Sequence, residues 1–329
     1  MAMPIAPLPF LADWMKVVRD KVNLDGIETR SKRPIRLLAA GPWAGELIAV
    51  LEEGRMSAEP VIRPWDSTGQ APPHDAALRG VFFAASAATD SEPDIARCVA
   101  LGVPVFVLDR TASTTARIDK PGDGTAGRYS VTTLDAHELL KFFVPDVVDA
   151  CGDNDVALAC ALPVFRPTVA AKLTVDCALL SLKIAGASAL ADHVPILGIV
   201  LGGIASAGDT IAITALQMNM LMHIAAAYGR RPDAARLVEL LPVVGGGYAW
   251  RALARELSGF IPVAGIAVKA AIAYAGTLIV GQAAAYFYET GTPMGSEKTS
   301  AAYREAVDRA KKLMLDIAGR IRPKQDARN

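Results

Sequence analysis

Two long stretches in the second half of this chain are almost without charge. Residues 194–229 hold Asp209 as their one charged side chain, and residues 257–288 hold only Lys269. Both are rich in alanine and glycine, and neither alternates as a half-buried strand does. Such segments form helices covered on several sides by protein or by lipid. A charge inside them has to be paired or reached by water or headgroups, because a buried unpaired charge costs too much to keep. Gly198 and Gly202, then Gly276 and Gly281, permit close helix–helix approach in either setting.

Length weighs lipid against protein core. Val194–Gly208 gives 15 uncharged residues, short of the roughly 20 that cross a bilayer, whereas Ala270–Tyr288 gives 19 with Lys269 at its edge. A span, a re-entrant hairpin and a peripheral hairpin all fit. A mean hydropathy of +0.30 lies above that of a purely soluble protein and below that of a many-spanning transporter. Residues 151–292 contain 18 charged side chains in 142 positions, and helices are expected at 154–161, 164–191, 194–228, 233–256 and 260–288.

The first half has a different grammar. Residues 8–24 carry Leu11, Trp14, Met15, Val18 and Val22 at helical spacing, and a polar, basic segment, Glu28–Arg33, follows. Compact apolar runs at Ile35–Ala40, Val81–Ala85 and Val103–Leu108, with shorter ones at Val61–Arg63 and Tyr129–Thr133, predict buried strands. Helices at 43–53, Glu92–Leu101 and Asp135–Asp149 alternate with them, and Ala112–Arg128 is expected to be a polar loop. The expected fold class is therefore α/β plus all-α: a small Rossmann-like parallel sheet followed by a glycine-rich helical bundle. The domains are a helix and linker over 1–33, the α/β domain over 34–150, the helical domain over 151–292 and a C-terminal helix over 293–329. That last helix has an apolar stripe of Tyr303, Val307, Ala310, Met314, Ile317 and Ile321, with nine basic and five acidic residues over 297–329. The stripe suits packing on its own protein, a partner helix or an anionic membrane surface.

Composition excludes some classes. With 34 basic and 34 acidic residues, no overall field steers the chain to nucleic acid. Cys98, Cys151, Cys160 and Cys177 lack CxxC spacing and read as buried hydrophobes of a reducing compartment, so neither zinc nor a disulfide frame is expected. The first 20 residues are apolar only briefly and lack a charged leading region, which predicts a cytoplasmic N-terminus and no secretion.

The first βα turn reads Gly41-Pro42-Trp43-Ala44-Gly45-Glu46-Leu47. A phosphate loop needs successive backbone amides, then a lysine and a Ser/Thr for magnesium. Here Gly45 comes one place early, and Glu46 suits the helix dipole while repelling phosphate. Trp65-Asp66-Ser67-Thr68-Gly69-Gln70 looks like the DTxGQ element of GTPase switch regions, and Asp109-Arg110-Thr111-Ala112 stands where a guanine-reading loop has NKxD. The order of these elements resembles a Ras-like or Era-like GTPase domain, shortened before Asp66. By that resemblance Asp66 would face magnesium and Gly69 the γ-phosphate, with Gly41 and Gly45 in the turn. A plain surface turn is the alternative for Asp66–Gln70. Without the phosphate lysine, GTP hydrolysis is not expected.

In the helical half, Asp209 and Lys269 are read as one buried pair fixing helix register, as two headgroup contacts, or as part of an ion pathway. Gly245-Gly246-Gly247 is either a tight turn or an anion nest helped by Arg251 and Arg255, which share a helix face. His223 reads as a satisfied core histidine, Gln217 and Asn219 as helix bridges, and Met218, Met220 and Met222 as core filler. Over residues 192–290, Asp209, Thr214, Gln217, Met220, Tyr228-Gly229, Gly246-Gly247, Arg251, Ala254-Arg255, Pro262, Gly265, Lys269, Tyr274, Gly276-Thr277 and Gly281 resemble the bacterial domain of unknown function 697. That helical, often membrane-linked domain commonly follows Era-like GTPase domains. The resemblance implies a GTPase-associated context at the membrane and no reaction.

These readings converge on a non-enzymatic, membrane-associated scaffold or regulator at the cytoplasmic face of the cell membrane. It is expected to need no cofactor, and to self-associate or bind a protein partner through apolar helices. The alternative is a nucleotide-binding switch or weak GTPase using GTP or GDP with magnesium; a pore or transport component is the third.

Overall fold

The computed structural model of the chain describes residues 21–57, 59–69, 71–72, 75–86, 91–111, 115–118, 124–191, 207–233, 236, 239–240 and 265–321. Within the helices, the side chains at 186–191, 207–211, 265–269, 296, 314 and 316–321 lie outside that description. The helix expected over 8–24 therefore falls almost wholly outside the described residues.

Two compact units result. One comprises residues 28–169 with 226–230; the other is built on 170–225 and 231–329, with the start of the chain. The first is an α/β unit around a sheet of six strands: β1 (Arg36–Ala40), β2 (Ile62–Pro64), β3 (Leu78–Ser86), β4 (Val105–Arg110), β5 (Ala116–Ile118) and β6 (Gly127–Val131). Their order is β2-β1-β3-β4-β6-β5, and every neighbouring pair is parallel except β5–β6. The interior strands are apolar on both faces because helices cover both.

Side chains alternate across the sheet as the strand period of two requires. On one face Leu38, Val81, Phe83, Val105 and Val107 pack with Ile95 and Cys98 of the helix Glu92–Val99. On the other, Phe82 and Phe106 meet Phe143, with ring centroids 5.1 and 6.1 Å away, and Tyr129 adds a third edge-on contact at 5.7 Å. The Tyr129 hydroxyl donates to Asp146 at 2.6 Å, which gives this buried ring a polar partner. Burial, with the adjacent carboxylate, pushes that phenol's pKa upward.

In chain order the helices are α1 (Leu24–Ser31), α2 (Ala44–Leu51), α3 (Glu92–Val99), α4 (Ala136–Leu139), α5 (Phe143–Cys151), α6 (Asp155–Ala161), α7 (Arg166–Ala191), α8 (Ala207–Ala227), α9 (Gly265–Thr290) and α10 (Ser296–Ile321). The polar segment Glu28–Arg33 lies largely in α1, which Arg30 ties to Asp155 at 2.7 Å and to the Asp153 carbonyl at 3.1 Å. Two local readings are corrected. The insert 112–128, taken as loop, contains β5, whose Ala116 amide donates to Ser130 Oγ at 3.2 Å. The single helix expected over 135–149 is two, α4 and α5. Pro145 lies in the first turn of α5, and its ring is incompatible with the carbonyl of Lys141 in one continuous helix.

The helical unit contains α7 from Ala170 onward, α8 as far as Ala225, α9 and α10. Ala178, Ala271, Tyr274, Ala275, Leu278, Ala306, Val307 and Ala310 form one buried cluster, so the described part of the α10 stripe packs on its own protein. A polar layer crosses this core. Gln217 Nε2 donates to Thr277 Oγ1 at 2.9 Å, and Thr277 Oγ1 donates to the Ala273 carbonyl at 2.8 Å and approaches Ser181 Oγ at 3.3 Å. Three helices thus share one hydroxyl, which fixes their register. Gly281 brings α9 against Thr174 of α7 so closely that a Cβ there would collide with the threonine side chain. Ala270–Thr290 is, among the described residues, one helix long and apolar enough to cross a membrane, with 61% of its apolar window already covered by protein.

Candidate functional site

Parallel α/β sheets bind ligands beyond the carboxyl ends of their strands, where neighbouring strands continue in opposite directions. In this sheet that place lies between β1 and β3: from β1 the chain passes to β2 on one side, and β3 leads to β4 on the other. Gly41 ends β1 here, and Asp66 follows β2 on the adjacent strand. The structure therefore brings the first turn and the Asp66 turn to neighbouring strand ends of one sheet edge.

Each has a structural explanation. Gly41 has φ +98°, and a Cβ on it would strike the Ala84 carbonyl of β3. Only glycine passes so near that strand. Gly45, the second residue of α2, meets nothing within 4 Å of a Cβ. Asp66 closes its own turn: its Oδ1 accepts from the Thr68 amide at 2.9 Å and from Thr68 Oγ1 at 2.6 Å. The Gly69 amide donates to the Asp66 carbonyl at 3.1 Å. The bonds from Thr68 hold the Asp66 carboxyl below its ordinary pKa, with a smaller pull from Arg97. This is the Asx turn by which aspartate shapes surface loops.

The crevice itself is occupied by side chains. Trp43 is 6% exposed, and its indole Nε1 donates to the Ala85 carbonyl at 2.7 Å, so the ring lies across the carboxyl ends of β1 and β3. Arg110, at the end of β4, stacks over that ring at 5.1 Å and pairs with Glu46 at 2.6 Å. Glu46 stands in the first turn of α2, where a phosphate loop would present amides and a cation. Asp109 is held by Arg128 Nε at 3.2 Å, and Arg128 also pairs with Glu92 at 2.6 Å. Of the residues that replace NKxD, Asp109 thus pairs with a neighbouring strand and Arg110 with the helix α2.

In the helical unit, His223 Nδ1 lies 2.8 Å from the Asn219 carbonyl, one turn earlier. Met218, Met220 and Met222 are buried, and Gln217 bridges helices as read. Asp209 lies in α8 and Lys269 in α9, but their side chains, and with them any pairing, fall outside the described residues. So do Gly245–Gly247, Arg251 and Arg255.

Sequence reasoning missed a second feature at the opposite, amino end of the same sheet. A cavity of about 640 Å³ opens where the chain enters β1, β2 and β3. Arg36, Arg55, Arg166, Cys160 and Tyr228 contribute to its wall, with Glu59 exposed at the rim. Arg36 pairs with Asp75, and Arg55 pairs with Glu52 at 2.9 Å. Glu52 Oε1 also accepts from the amides of Val61 and Ile62, each at 3.0 Å. Arg166 differs: Nε donates to the Ala159 carbonyl at 3.2 Å, and the guanidinium lies 5.9 Å from the Tyr228 ring. The one sequence signal was that Arg166 is the lone charge between Asp155 and Lys172.

Compared with family models, with curated proteins and with solved structures, the chain matches none.

Proposed function

We propose that this chain is a non-enzymatic, membrane-associated scaffold or regulator whose α/β unit is a GTPase-like domain that no longer turns over nucleotide. The observation that carries the reading is the Trp43–Arg110–Glu46 group across the strand ends. A nucleotide there needs free amides, a cation for the phosphates and room; this site offers a carboxylate, a neutralised arginine and an indole. The resemblance of residues 192–290 to domain of unknown function 697 supports placement at the inner face of a bacterial cell membrane, with apolar helices engaging lipid, a protein partner or a second copy.

The expected result of titrating labelled GTP, GDP and ATP with magnesium is no binding at micromolar concentrations. One observation favours the second reading, a nucleotide switch: Gly41 and Asp66 share neighbouring strand ends. Micromolar binding that Asp66→Ala abolishes would establish that switch and overturn the scaffold.

For the membrane, the expected outcome of cell fractionation is recovery in the membrane pellet. A carbonate wash then separates peripheral attachment, which it releases, from an integral helix. Protein found wholly in the cytosolic fraction before any wash would end the membrane assignment.

A further inference from the structure

The cavity at the amino end of the sheet is separate from the Trp43 group and carries an uncompensated charge. Among the described residues no carboxylate lies within 4 Å of Arg166, although burial holds its guanidinium below the ordinary arginine pKa. Arg230 adds a second positive charge nearby. Arg55, whose side chain is 8% exposed, keeps Nε buried with no hydrogen-bond partner among the described residues. A half-buried guanidinium such as that of Arg166 is costly unless an anion meets it, and arginine's fork suits planar or tetrahedral oxyanions. Ile35, Pro60 and Val61 supply apolar wall, and Tyr228 supplies a ring beside the charge.

We propose that this cavity binds a small organic oxyanion, a phosphate ester or carboxylate on a compact apolar body, with its charge on the terminal nitrogens of Arg166. Nε of Arg166 is spent on Ala159, so the end of the guanidinium remains for a two-point contact. A volume of about 640 Å³ is in the range of metabolite pockets. Glu59 at the rim disfavours highly charged ligands and selects those carrying one anionic group.

The test uses the full chain with phenyl phosphate and benzoate as probes, inorganic phosphate as a bare anion and benzyl alcohol as a neutral isostere. Binding is read by calorimetry, and its location by protection of Cys160 from N-ethylmaleimide. Cys160 lines the cavity and is partly exposed, whereas Cys98, Cys151 and Cys177 are buried. At least one organic anion is expected to bind, to exceed benzyl alcohol and to slow Cys160 labelling; which one does so separates phosphate from carboxylate. Arg166→Gln is expected to weaken it by about tenfold or more, as loss of a hydrogen bond to a charged group does. Because Arg166→Gln can itself perturb folding, Ser57→Asp at the exposed rim is the second variant, expected to weaken the anions and leave the neutral probe unchanged. The proposal is overturned if no organic anion binds, if binding leaves Cys160 unprotected, or if both variants, folded by circular dichroism, bind as wild type does. Binding of inorganic phosphate alone overturns the apolar half of it.

Discussion

Phe143→Ala is expected to destabilise the α/β unit by about 3–5 kcal/mol, the cost of deleting a fully buried aromatic ring and leaving its cavity. Phe143 is 1% exposed and, among the described residues, is the ring that touches all three of Phe82, Phe106 and Tyr129. It joins α5 to the centre of the sheet, so the neighbours cannot collapse without moving strands held by parallel pairing. In urea the transition assigned to this unit should move to lower concentration with unchanged slope. Because a chain of two compact units need not unfold in one step, the transition must be followed by a probe inside the sheet. Thiol exposure of Cys98 serves, since burial pushes its pKa up to about 12 and keeps it unreactive in the folded state. A loss below about 1 kcal/mol would show that the ring cluster is not central to the unit.

Gly41→Ala is expected to cost about 3 kcal/mol or more, through a left-handed backbone and a collision with the Ala84 carbonyl. Gly45→Ala supplies the contrast. A Cβ there meets nothing within 4 Å, and alanine suits a helix better than glycine by roughly 0.5–1 kcal/mol, so this variant should be neutral or stabilising. Equal losses at the two positions would refute the view that Gly41 is kept for close strand packing.

The strands of the sheet interior were legible because short apolar runs such as Ile35–Ala40 and Val103–Leu108 read as strands buried on both faces, and their inner parts, Leu37–Ala40 and Val105–Leu108, are buried. β5 was not, because Ala116, Arg117 and Ile118 carry no strand signal of their own; pairing with Ser130 and its neighbours makes them a strand. The same holds for α1, where Gly26 and one buried side chain, Ile27, give a weak pattern and the Arg30–Asp155 bond does the fixing. At the candidate site the missing phosphate lysine was readable at once. The role of Trp43 was not, because its partners Ala85 and Arg110 lie 42 and 67 residues further along the chain, by residue number. The Arg166 cavity needed strand entries from three places to become visible.

The two borders of the sheet bear on how copies of this chain can assemble. Each is a strand of three residues, β2 and β5. β2 ends in Pro64, which offers no amide, and the Glu52 carboxylate already takes up the Val61 and Ile62 amides. A third chain segment arriving at that border would find a proline and a satisfied carboxylate instead of a row of open donors. Growth of ordered stacks by strand addition is therefore blocked at β2, so an assembly that does not use β5 would join copies through helices instead. Any oligomer so formed should come apart in mild detergent with its infrared strand content unchanged.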